Sequence, residues 1–165
     1  MNLELLILAV PFGYLLAVSP FLAIIDIRTH RLPNVLTLPG IVISLISVGI
    51  VSSLEEKWME LIVSIGVAML ILIIGYPLAK AELLGMGDIK LLIAFALPLS
   101  FISPLALLIG VLLSLLLANA VVLPKMLFRK LNTQTVIPMG PYLLLGLIGV
   151  FGYELWFLSP AGVWS

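Results

Sequence analysis

The 165 residues carry no net charge, no cysteine and one histidine, and 63% of them are hydrophobic against 10% charged, where soluble domains hold ~45–50% apolar residues. With a mean hydropathy of +1.34, this is the composition of an integral membrane protein. It excludes disulfides, thiolate metal sites, a cysteine nucleophile and a histidine cluster, and there is no basic block of the kind that binds nucleic acid.

At about 20 residues per span with short loops, the length suits one transmembrane domain, residues 1–165, of all-α class with about six helices. The N-terminus lacks a basic leading region and a small-residue cleavage site, so the first apolar run is expected to stay as a membrane helix. That run covers 3–25, bent at Pro11 and Pro20, since each proline removes a helical donor. It delivers Asp26 to one membrane surface. A second span is expected over 35–54, with an irregularity at Pro39-Gly40, then a turn over 52–57. Trp58 can anchor the next interface, and 61–79 supplies a third span. The fourth is short: from Asp88 to Ile102 a helix covers roughly 22 Å against about 30 Å of hydrocarbon. Asp88 is therefore expected below the headgroups, or beneath a thinned or wet bilayer. Pro98, Ser100, Ser103 and Pro104 interrupt the apolar run, and a fifth span over 105–123 is expected to end at Pro124. Pro138-Met139-Gly140-Pro141 opens a sixth span ending near Leu158, with Tyr153, Trp156 and Trp164 in an outer aromatic belt.

Six spans put both termini on one side. Loops one, three and five hold Arg28, Arg31, Lys80, Lys90, Lys125, Arg129 and Lys130, and the opposite face holds Lys57. The positive-inside bias places those three loops in the cytoplasm and both termini outside. Asp26 and Asp88, the only aspartates in the chain, then share the cytoplasmic side.

An acid at the edge of a membrane span is a functional-site candidate by default. Two carboxyls held together cannot both ionise easily, so they share a proton. One can then take a proton from water while the other, protonated, polarises a peptide carbonyl and helps the amine leave. No metal, cofactor or nucleophilic side chain is required. Gly85 and Gly87, flanking Met86 ahead of Asp88, either let a substrate backbone approach and permit unusual dihedrals or mark close helix contact.

Other readings stand beside these. Each aspartate could pair locally with Arg28, Lys90 or another basic neighbour, although residues two apart face different sides of a helix. Arg28 and Lys90 are expected to reach headgroups, His30 to be solvated, Glu82 to be a loop charge, and Asn119 to hydrogen-bond between helices. A proton- or ion-coupled carrier would also use intramembrane acids, though no repeat spans the two halves.

Taken together the motifs resemble the type IV prepilin peptidases, membrane aspartic proteases of the G-x-G-D class. Asp26, Arg28 and Leu32-Pro33-Asn34-Val35-Leu36-Thr37 resemble the first motif of that family, and Gly85-Met86-Gly87-Asp88-Ile89-Lys90 the second. Ile137-Pro138-Met139-Gly140-Pro141-Tyr142 is similar to the motif opening its last helix. The resemblance implies Asp26 and Asp88 as catalytic pair, with Gly85, Gly87, Arg28, Lys90, Pro33 and Asn34 in support. It implies cleavage of basic leader peptides from prepilins or pseudopilins at the cytoplasmic face of the inner membrane, after a glycine that precedes the apolar pilin helix. Many bacterial members carry a cysteine-containing cytoplasmic insert and methylate the new N-terminus. This chain has neither insert nor cysteine and resembles a peptidase-only form.

Overall fold

The computed structural model describes residues 3–29, 32–81, 84–127 and 139–158, with 125–127 and 157–158 in backbone alone. These form six helices and no strand: α1 (Leu3–Thr29), α2 (Asn34–Glu55), α3 (Trp58–Lys80), α4 (Met86–Ile102), α5 (Pro104–Leu127) and α6 (Gly140–Leu158). His30, Arg31, Glu82, Arg129, Lys130, Pro138 and Trp164 lie outside the described residues, as does the side chain of Lys125. By length and apolarity, α1, α2, α3 and the Pro104–Pro124 part of α5 are each able to cross a membrane alone.

The organising helix is α4, which packs against α2, α3, α5 and α6, while α1 lies on α2 and α6 and α5 on α6. Between Leu91 and Phe101 every α4 residue except Leu92 is buried. This resolves the short fourth span. Its 17 residues reach only about 25 Å at 1.5 Å each, but its neighbours, rather than lipid, enclose it.

Two of the prolines inside these helices free carbonyls that other groups then satisfy. Pro98 deprives the Ala94 carbonyl of its helical donor, and the Ser44 hydroxyl of α2 donates to that oxygen at 2.8 Å. Nearby, Ser64 of α3 donates to the Leu97 carbonyl at 2.6 Å. In α1 the carbonyl freed by Pro20 belongs to Leu16, and the Ser19 hydroxyl donates to it at 2.8 Å. Two expectations change. Pro124 does not end α5, which continues to Leu127, since one lost amide near a helix end is tolerated in membrane helices. Asn119 is exposed and donates to Leu115 of its own helix at 2.9 Å rather than to another helix.

The two ends of the bundle differ. At one end Lys57, preceding α3, pairs with Glu4 of α1 at 2.6 Å. Trp58, Tyr153 and Trp156 are exposed toward that end, as an aromatic belt requires. The opposite end gathers the C-terminal turns of α1 and α3 and the first turns of α2, α4 and α6, with Arg28, Lys80 and Lys90.

Candidate active site

Asp26 lies inside α1, not in the loop after it, because the helix continues to Thr29, whose hydroxyl donates to the Ile25 carbonyl at 2.9 Å. Its side chain turns inward and is 5% exposed. There Oδ2 accepts the Gly140 amide at 2.9 Å. Gly140 is the first residue of α6, and the Leu143 amide already donates to Met139. The Gly140 amide is thus one of the donors a helix start leaves unpaired. A Cβ on Gly140 would fall 2.7 Å from Asp26 Oδ2, so only glycine admits this approach.

Asp88 stands in the first turn of α4, where Gly85 is the capping residue with extended φ and ψ of −70° and 134°. The Gly85 carbonyl accepts the Asp88 amide at 3.0 Å. A Cβ on Gly85 would lie 2.8 Å from Asp88 Oδ2. The side chain is 9% exposed, and Oδ1 is fully buried with no hydrogen-bond partner among the described residues. Asp26 meets the start of α6, and Gly87, one residue before Asp88, meets Leu32 in the segment that follows α1, so both acids lie at the same end of the bundle. Neither carboxyl forms an ion pair among the described residues. Acids buried at one end of a bundle are groups that could hold a single proton between them.

The remaining residues sort by contact. Gly87 is where α4 meets the segment after α1: a Cβ there would lie 2.5 Å from the Leu32 Cβ and 3.1 Å from its amide nitrogen. No described glycine has a positive φ, so close approach, and not unusual dihedrals, is the need both Gly85 and Gly87 meet. Pro33 caps α2, its carbonyl taking the amides of Leu36 at 3.1 Å and Thr37 at 3.2 Å. Lys90 donates to Asn34 Oδ1 at 2.6 Å, clipping α4 to the start of α2. Arg28 is exposed and contacts neither aspartate among the described residues. An apolar cleft between α3 and α4 passes Gly75 and reaches Leu84 and Ile89, on either side of the Gly85–Asp88 turn.

A model of the type IV leader peptidase family matches residues 13–123. The chain belongs to that family. The match takes in both aspartates and the glycines before Asp88, and with four helices able to cross a membrane the chain is a membrane protein of a peptidase family. No curated protein and no solved structure gives a further match. Gly140 lies beyond the matched span, yet among the described residues it is the one that hydrogen-bonds Asp26. Its contact crosses 114 positions of sequence. The Pro138–Tyr142 motif marked the spot but not the hydrogen bond.

Proposed function

We propose that this leader peptidase is an aspartic endopeptidase in which Asp26 and Asp88 activate water against a peptide bond, and that its substrates are prepilins or pseudopilins with a basic leader. The observation that carries the reading is the burial of both acids at one end of the bundle, Asp26 against the start of α6 and Asp88 in the first turn of α4. Such a pair supplies a base and an acid at once. One carboxylate draws the proton from water as its oxygen attacks, and the protonated partner polarises the carbonyl. Gly85, Gly87 and Gly140 hold the elements that carry the pair, Pro33 and the Lys90–Asn34 clip fix the start of α2 beside it, and Arg28 lies at the headgroup level.

Cleavage is placed at the cytoplasmic face of the inner membrane, in keeping with Arg28, Lys80 and Lys90 at the aspartate end and Lys57 at the other. Purified protein in lipid, given a prepilin fragment that keeps its leader and apolar helix, should release the leader by one cut after the glycine preceding that helix. Mass spectrometry of the products reads the bond directly. An intact fragment, with the protein shown to be folded, would overturn the assignment.

A further inference from the structure

Resting on the reading of Asp26 and Asp88 as the reactive pair, we infer that the shared proton has a fixed place: Asp88 Oδ1 carries it, and Asp26 is the carboxylate that deprotonates the attacking water. Asp88 stands in the first turn of α4, whereas Asp26 meets the start of α6 but itself lies in the last turn of α1, so the helix dipoles taken alone do not place the charge on Asp26. Their hydrogen bonds do.

On Asp26, Oδ2 takes the Gly140 amide at 2.9 Å, a hydrogen bond that gains strength when the acceptor is charged. No orphaned buried oxygen remains on this residue. On Asp88, Oδ2 faces Gly85, while Oδ1 is the one buried side-chain oxygen or nitrogen among the described residues that has no partner. A carboxylate oxygen buried without a donor is costly. An O–H in the same place is a donor waiting for an acceptor, and a scissile carbonyl supplies one once the groups that cover this oxygen give way to substrate. The other described ionisable side chains at this end are Arg28 of α1, which is exposed, Lys80 of α3, which lies over the Tyr76 ring, Lys90 of α4, which is held by Asn34, and Tyr142 of α6. None is bonded to either carboxyl among the described residues.

The step balances. Asp26 takes one proton from water as the water oxygen bonds to the carbonyl carbon, and the Asp88 proton moves to the carbonyl oxygen, giving a tetrahedral diol. The proton on Asp26 then passes to the amide nitrogen as the C–N bond breaks. One diol hydroxyl returns its proton to Asp88, leaving a carboxylic acid, an amine and the starting pair. Gly140 acts through Asp26 and is a positioning residue.

Because the chain has two aspartates, labelling the aspartate side-chain carboxyls with carbon-13 isolates this pair for infrared spectroscopy in lipid at the pH of best activity. One protonated-acid band and one carboxylate band are expected. Replacing the Gly140 amide by an ester, with glycolic acid in place of the glycine during cell-free synthesis, should move the carboxylate band alone, with helix content by circular dichroism unchanged. As a second route, Asp88→Asn should leave only a carboxylate band. An acid band that answers to Gly140, or one that persists in Asp88→Asn, overturns the assignment. Cleavage assays separate the two claims: if both Asn variants are inactive while the proton answers to Asp26, the role assignment falls and the pair stands.

Discussion

Gly87 and Leu32 meet where α4 begins, with room for no side chain between them: a Cβ on Gly87 would lie 2.5 Å from the Leu32 Cβ. Through this contact the segment that follows Asp26 in sequence rests on the turn that presents Asp88. The glycine before the aspartate therefore serves the distance between two helices.

Gly87→Ala should push α4 and the Leu32 segment apart. Overpacking at such a contact costs about 1–3 kcal/mol, which a membrane bundle can survive, but the separation of the acids changes. Cleavage should fall more than tenfold while thermal unfolding in detergent shifts by only a few degrees. Leu32→Ala does not restore the room, because the Leu32 backbone nitrogen is itself 3.1 Å away. Recovery of full activity in the Gly87→Ala, Leu32→Ala double variant would contradict this account.

Ser44 and Pro98 form a testable unit. Removing the hydroxyl with Ser44→Ala leaves the buried Ala94 carbonyl without a donor, a loss of about 1–3 kcal/mol. Pro98→Ala returns a backbone amide to that carbonyl. In the Pro98→Ala background, Ser44→Ala should therefore cost clearly less than in the native chain. Equal costs in both backgrounds, measured by a double-mutant cycle, would mean that the hydroxyl does not serve the freed carbonyl.

Much of this bundle was legible in its sequence because apolar runs of span length have few alternatives to helices. The aspartates stood out as the only two in a mostly uncharged chain, and their shared end followed from the parity of the spans. Contacts between distant positions were not legible. Nothing local to Gly140 shows that its amide reaches Asp26, and nothing local to Pro98 shows a serine 54 positions earlier that answers for it. Pro124 and Asn119 were misjudged for a related reason: a proline or a polar amide in a helix has both a local and a tertiary solution. The local one holds for Asn119.

Orientation can be read from single cysteines, since the native chain has none. A cysteine replacing Thr133, between α5 and α6 in the sequence, should react with an impermeant reagent only after the cytoplasmic side is opened. One beside Lys57, at the Glu4 end, should react from outside. The reverse pattern would move the proposed cleavage to the other face.

A shared proton fixes the shape of the pH profile. Activity should fall on the acid side as the remaining carboxylate gains a proton, and on the alkaline side as the shared proton leaves, with both limbs belonging to the pair. The profile should be bell-shaped, and chelators should leave it unchanged. Activity lost on chelation and restored by a divalent ion would point to metal-assisted hydrolysis.

The central claim is that Asp26 and Asp88 act as one unit, and the rates of three variants test it most directly. Asp26→Asn, Asp88→Asn and the double variant, each in lipid with the native helix content, should all lose leader cleavage to the same residual level. Residues that act together are lost together: either single change should cost nearly as much as both. A single variant that cuts at near the native rate, or two single losses that add in full to give the double, would contradict the account.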